Sequence, residues 1–385
     1  MNRYRRLLVL TPLLVLAAGC ADSSDPAAPD GQDTYPYPVG KVFFSHPPVE
    51  LDRVFLFESM GALYTPYQED HGGFFHLDVF EADPPAIPVI APADGQVTVI
   101  RTHEGTIDGL EHAVRLKIST TIEVLWGHVG RLSDRLAAEA GPLGTSRDVE
   151  IPVVAGEVIG YVARTALDFA VNDMTTQTRI LHPEFYGSNP VAAPLEDYYQ
   201  EPLRSQILDL TRRDSEPRTG TMGHDVAGTL AGLWYLEGSD PRPPNFREDH
   251  AFHFGSNHLL THRSTVIDGQ AYVDGTTGPG GVDLWSFWIK GSPRWEDITA
   301  ASGQVKLEMF PSRWGLTGSY TDWTLEDTSG LDASAETLSI LLVEMLDDDT
   351  VRVERFDAAG PGGIAPGDVT GFTPNARTYH RNPVA

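Results

Sequence analysis

Apolar and polar positions alternate with period two along much of the chain, as expected of strands with one buried face. Val114, Leu116 and Ile118 alternate with Arg115 and Lys117; after Ser119-Thr120-Thr121 the alternation resumes through Ile122, Val124 and Trp126. This predicts a hairpin with one buried face. Further strands are predicted around Val54-Phe55-Leu56-Phe57, over 95–100 after the turn Ala93-Asp94-Gly95, over 150–162 with glycine punctuation, and at Leu167-Asp168-Phe169-Ala170-Val171. Helical spacing is rarer. Leu132 and Leu136 with Gly141 as a stop predict a helix over 130–141. Tyr199, Leu203, Ile207 and Leu210 predict another over 197–212, where Pro202 fits only in the first turn. From Met222 the pattern is strand again, over 228–235, 264–273, 282–290, 304–310, 323–326, 337–345 and 350–356, with Asp347-Asp348-Asp349 as a hairpin loop. The expected fold is mainly β: an antiparallel sheet domain over 41–180, a short helical bridge and linker over 181–221, and an antiparallel barrel or sandwich over 222–385.

The first forty residues follow a different rule. Arg3, Arg5 and Arg6 precede an apolar run that ends in Leu16-Ala17-Ala18-Gly19-Cys20. A basic start, an apolar core and small residues before a break predict an export signal over 1–19. The ending resembles a bacterial lipobox, which implies that Cys20 carries the lipid of an envelope lipoprotein. Ala21 after it favours the outer membrane. Residues 20–40, rich in Asp, Ser, Pro and Ala, are expected to form a disordered tether. Cys20 is the single cysteine, which excludes a disulfide or zinc–thiolate framework. The net charge of −26 over 385 residues argues against nucleic acid and anionic membrane as partners, leaving the lipid as the membrane contact.

Candidate chemistry sits in the apolar strands of the first half. His76 and Asp78, two apart in Phe75-His76-Leu77-Asp78-Val79, point to the same face of a strand. His128 ends the run Trp126-Gly127-His128, and Asp168 is an acid inside an apolar strand. Together His76, Asp78, His128 and Asp168 are expected to meet on one face. Two imidazoles and two carboxylates suit zinc or a harder divalent ion. Alternatively His128 is a base held by Asp168, or the four form a hydrogen-bonded polar remnant without a metal. His71 and Asp173 are weaker candidates for the same rim.

These residues stand in a recognisable frame. Pro88-Val89-Ile90-Ala91-Pro92-Ala93-Asp94-Gly95-Gln96-Val97 resembles the "PVYAPADGxV" strand and turn of M23, or LytM-like, metallopeptidases. Residues 114–128 with Leu132 and Ser133 resemble that family's "VxIxH…TxYxHLS" pattern, and 156–162 its "GxxIGxVG" strand. The resemblance implies an M23-like β-domain acting on peptidoglycan. The family binds zinc through the His and Asp of H-x-x-x-D and the second His of a late H-x-H. Its Asp falls on Asp78, but its first His falls on Phe74. The late H-x-H falls on Ala166-Leu167-Asp168, so Asp168 stands at a ligand histidine's place. The family's other catalytic histidine matches His128. The resemblance thus implies a degenerate member: a non-catalytic module that binds the cell wall or an envelope protein, as LytM-like amidase regulators do. The alternative is a zinc-dependent M23-like metalloendopeptidase that uses His76, Asp78 and Asp168 as metal set with His128 as catalytic group.

The second half offers softer signals. Gly232-x-Trp234 reads as a core tryptophan. His250, His253, His258 and His262 have helical spacing but strand-like neighbours, and on a strand His250 and His253 face opposite ways. Trp285, Trp288, Trp295, Trp314 and Trp323 suit either a barrel core or stacking on sugar rings, which keeps a glycan or small-molecule binder as a third expectation.

Overall fold

The computed structural model describes residues 35–383, apart from internal stretches of which the longest are 78–85, 257–263, 269–285 and 312–336. The expected export signal, Cys20, His71, Asp78, His258, His262, Trp285, Trp314 and the strand around Trp323 therefore lie outside the described residues.

The chain is mainly β, as its alternation predicts. In the first half the strands are β1 (Val54–Glu58), β2 (Leu63–Thr65), β3 (Gln68–Glu69), β4 (Gly73–Leu77), β5 (Pro88–Ile90), β6 (Gly95–Glu104), β7 (Leu110–Lys117), β8 (Ile122–Leu132), β9 (Ser146–Val153), β10 (Val158–Val162) and β11 (Ala166–Asp173). β2 and β3 pair only with each other; the rest form one sheet in the order β1-β4-β11-β8-β7-β6-β9, with β10 joining β8 to β5. The predicted hairpin is β7–β8, and Val114, Leu116, Ile118, Ile122, Val124 and Trp126 are all buried in one core. Phe75, Leu77, Leu167 and Phe169 extend this core on the same side. Period two then commits Phe74, His76 and Asp168 to the opposite face.

Helix α1 (Asp134–Ala140) is shorter than predicted, because β8 runs on to Leu132. Ser133 caps it, its side chain accepting from Leu136 N at 3.3 Å, and Gly141 ends it at φ 67°, where glycine carries no Cβ penalty. The helix predicted over 197–212 is instead a 3-10 turn (Leu195–Tyr198) followed by α2 (Leu203–Leu210), with Pro202 at its start. Tyr198, Tyr199 and Ile207 belong to the first core, while Phe185 packs with Leu233, Tyr235 and Ala251 of the second half. Among the described residues no helix is long and apolar enough to cross a membrane.

The second half is a closed eight-stranded antiparallel barrel, not a sandwich: β12 (Gly232–Leu236), β13 (Ala251–Ser256), β14 (Ser264–Asp268), β15 (Ser286–Lys290), β16 (Gln304–Pro311), β17 (Ser339–Met345), β18 (Thr350–Asp357) and β19 (Arg377–His380). Closure through Tyr235↔His380 and Leu236↔Tyr379 leaves no sheet edge unpaired in the ring. Inward side chains, among them Trp234, Phe254, Phe287, Leu307, Leu341 and Val343, fill the interior. Trp295 is buried there, its Nε1 donating to Gly255 O at 3.0 Å, so this tryptophan closes the core and offers no face to a sugar. His253 faces outward from β13, fully buried, its ring 5.7 Å from that of His224, which bonds Gly61 O at 3.0 Å.

The barrel end that receives the chain from the first half is sealed by one cation. Arg381 is 1% exposed. It pairs with Asp225 at 2.9 Å, donates to the carbonyls of Leu233, Thr229 and Ala231, and lies 3.9 Å over the Trp234 ring. Burial pushes its pKa down to about 10, against the opposing pull of Asp225 and Asp349.

Candidate functional site

Three adjacent strands, β4, β11 and β8, build the polar face of the first sheet. Their register sets Asp168 opposite Phe74 on one side and Gly127 on the other, with His76 opposite Ala166. Residues directly opposite one another project to the same side. Phe74, His76 and Asp168 thus share a surface, and β1 adds Glu58, which lies opposite Phe74.

His128 reaches this surface through a backbone irregularity. Between His112↔Val129 and Val114↔Trp126 the β7–β8 register slips by one, so Gly127 and His128 together face Ala113. Such a bulge re-aims a side chain. Here it puts His128 at φ 59°, a left-handed conformation that non-glycine residues seldom adopt. The expectation that a strand ends at His128 is corrected: β8 continues through the bulge for four more residues. Gly127 leaves room for Asp168, since a Cβ there would stand 2.8 Å from Asp168 Oδ2.

Each imidazole is held by a buried glutamate that sequence reasoning missed. His76 Nε2 lies 2.6 Å from Glu58 Oε2, and His128 Nδ1 lies 2.7 Å from Glu111 Oε2. Glu58 and Glu111 are 7% and 6% exposed, and carboxylates so buried require such partners. Their signal was faint. Glu58 closes the apolar run of β1, and Glu111 falls on the outward phase of β7, where an acid normally meets only water.

The Glu111 hydrogen bond holds the His128 pKa above its ordinary 6.5; burial opposes this, and the nearby Asp168 charge adds to it. A histidine whose folded pKa is raised stabilises the fold fully below its unfolded value and loses that contribution as pH rises through the folded pKa. The His128 ring protons should therefore titrate above 6.5 by NMR, and Glu111→Gln should move the midpoint down. The stability gap between wild type and Glu111→Gln should be widest below 6.5 and close at higher pH. An unmoved midpoint would sink the assignment.

Between the imidazoles stands Phe74. Its ring centroid is 6.3 Å from that of His76 and 6.2 Å from that of His128. Of the predicted set, His76, His128 and Asp168 are brought to one face, and Asp78 lies outside the described residues. Asp173 is taken up elsewhere: it accepts from Thr175 N at 2.8 Å, Thr175 Oγ1 at 2.7 Å and Tyr198 Oη at 2.7 Å. Burial raises its pKa, but these bonds outweigh it and leave the group low. Zinc needs about four donors at bonding distance. Among the described residues no three His, Cys, Asp or Glu side chains are placed to hold a metal ion. Of the described residues at the expected ligand positions, Phe74 has no lone pair to give and His76 is drawn to Glu58.

No protein-family model matches this chain, and no curated protein matches it. Among solved structures it is similar to the SpoIIQ–SpoIIIAH pore-forming complex, at 13% identity and TM-score 0.26, over 43% of this chain and 96% of that one. It is similar to the catalytic domain of the antimicrobial peptidase lysostaphin from Staphylococcus simulans, at 15% identity and TM-score 0.24, over 40% of this chain and 94% of that one. A third is a mutant catalytic domain of the prophage-encoded M23 protein EnpA from Enterococcus faecalis, at 16% identity and TM-score 0.16, over 36% and 82%. Two of these three are described as catalytic domains, one of a peptidase and one of an M23 protein, and all three are matched at low identity and over part of this chain.

Proposed function

We propose that the first domain is a non-catalytic recognition module that binds peptidoglycan from an envelope-anchored lipoprotein. One observation carries this reading: an aromatic ring, Phe74, lies beside both histidines at the position where the sequence resemblance expects a zinc ligand. The ring and the glutamate-held imidazoles make a surface suited to grip a peptide or sugar. Aromatic faces supply contact area, and the fixed imidazole edges supply hydrogen bonds. In this reading lipid on Cys20 and the tether over 20–40 hold the domain at the outer membrane, within reach of the wall.

The test combines sedimentation with purified peptidoglycan and an assay for released wall peptides, each with and without added zinc. The chain should cosediment and release nothing in either condition. Phe74→Ala should weaken cosedimentation by about fivefold or more, with the circular dichroism unchanged. Zinc-dependent release that disappears in His128→Ala would replace this reading with that of a metallohydrolase.

A further inference from the structure

A single apolar side chain on a surface is ordinary, but several together call for something to cover them. Val39 is 88% exposed, Met174 59% and Phe43 50%. All three gather around one turn, Ser119 to Thr121, which joins β7 to β8. Thr120 N donates to Pro38 O at 3.0 Å and Gly40 N donates to Thr120 Oγ1 at 3.4 Å, so the backbone on both sides of Val39 is fastened to this turn. Met174 N donates to Thr121 O at 2.9 Å, one residue along. Phe43 joins them through Lys41, whose ammonium lies 5.6 Å from the Phe43 ring and 4.7 Å from that of Tyr198. The Tyr198 hydroxyl in turn donates to Asp173, the neighbour of Met174. Other exposed apolar side chains stand apart from this group: Val154 follows β9, and Leu346 follows β17 at the barrel.

The same end of the domain receives the N-terminal chain. The Tyr35 ring stands 4.8 Å from that of Tyr37, and Lys117, the last residue of β7, holds its ammonium 4.3 Å from the Tyr37 ring. Residues 20–34 separate Tyr35 from Cys20. Fully extended, a chain of that length spans at most about 50 Å. As a flexible coil it averages about 20 Å end to end. A lipid on Cys20 therefore keeps the turn near the leaflet that holds it. Tyrosine, with an apolar ring and a polar tip, suits the boundary between membrane and water. Lysine can lay its stem along apolar surface and keep its charge among the headgroups.

We propose that the Val39, Phe43 and Met174 patch lies on the interface of a zwitterionic lipid bilayer and sets how the first domain stands on it. This rests on the lipid anchor proposed above for Cys20. The contact is apolar, so the net charge of −26 does not oppose it on a zwitterionic leaflet as it would on an anionic one. A lipid on a flexible tether fixes distance but not orientation, and the patch supplies the orientation. β8 leaves the turn at Ile122, and six residues of strand carry the chain to His128, about 20 Å from the turn. The polar face is thereby held clear of the lipid and on the side of the wall.

The test uses the full lipidated chain in vesicles of equal parts phosphatidylethanolamine and phosphatidylcholine. The phosphatidylcholine carries a photoactivatable group on its acyl chain, and lipid adducts are mapped by mass spectrometry after the vesicles are floated. Adducts should appear on peptides holding Val39, Phe43 and Met174, and not on those holding Val154 or Leu346. Val39→Asp should lower the adducts at Met174 by about fivefold or more, and Met174→Asp those at Val39 and Phe43, with the circular dichroism unchanged. Where an aspartate variant fails to fold, the wild-type map decides by itself. Adducts confined to residues 20–34 would show the anchor without the patch and overturn this proposal alone. A patch free of adducts because a second copy covers it would overturn it too, and a cross-linked dimer would reveal that copy. A chain that does not float with the vesicles would strike the lipid anchor, and this proposal with it.

Discussion

Arg381→Met should cost the barrel about 3–5 kcal/mol, the largest loss expected from any single substitution in that half. The guanidinium is almost fully buried and answers several groups at once. Removing it leaves the Asp225 carboxylate, 7% exposed at its side chain, without its cation. It also strips a donor from the carbonyls of Leu233, Thr229 and Ala231 and uncovers one face of Trp234. Methionine restores volume but none of these bonds; Asp225 keeps its bonds from Leu233 N and Leu181 N, and the loss of its counter-charge is the costly part. Arg381→Lys should fall between wild type and Met, since an ammonium keeps the charge but cannot span three carbonyls and a carboxylate in one plane. Hydrogen exchange reads the effect domain by domain. Amides of β12 and β19 should exchange far faster in the variant, while those of β7 and β8 serve as the internal control. Unchanged protection in β12 would show that Arg381 does not hold the barrel shut.

Trp126→Ala should cost the first domain about 3–5 kcal/mol. Trp126 is 0% exposed at the centre of the sheet, its ring centroid 5.7 Å from that of Phe169. Truncation removes the apolar surface of an indole and leaves a cavity that paired strands on both sides cannot collapse to fill. Trp126→Phe should cost far less, about 1–2 kcal/mol, because the indole Nε1 is buried with no hydrogen-bond partner. A phenyl ring sheds that unmet donor together with the lost volume, and the two changes partly offset. Exchange at β7, β8 and β11 should separate the two variants, with the barrel amides unmoved. Equal losses in Ala and Phe would mean that the indole nitrogen carries no penalty. Because Gly127 and His128 follow directly, Trp126→Ala should also loosen the bulge that aims His128 and raise its ring mobility.

Much of the first domain was legible because side-chain alternation is local. A strand with one wet and one dry face writes its orientation into successive residues, and Val114, Leu116, Val124 and Trp126 declared theirs. Alternation related His76 only to Asp78; that Asp168 shares the face of His76 follows from the β4–β11 register. It also failed in identifiable places. β19 was missed because Arg377-Thr378-Tyr379-His380 carries one apolar residue in four, and its strand character comes from pairing with β12 and β18. β13 was legible as strand-like but without bounds, because Ala251-Phe252-His253-Phe254-Gly255-Ser256 is too short and mixed to show a clear period.

The sequence by itself determined the β class and the buried face of the β7–β8 hairpin. Only the tertiary structure decided that the second half closes into a barrel, that a one-residue slip at Gly127 and His128 turns His128 onto the polar face, and that Glu58, Glu111 and Asp225 are buried partners instead of surface acids. The reason is one of range. Burial of an apolar side chain follows from a repeat a few residues long, whereas the partner of a charge is set by register. Arg381 and Asp225 meet across 156 positions, and no local pattern can carry that pairing.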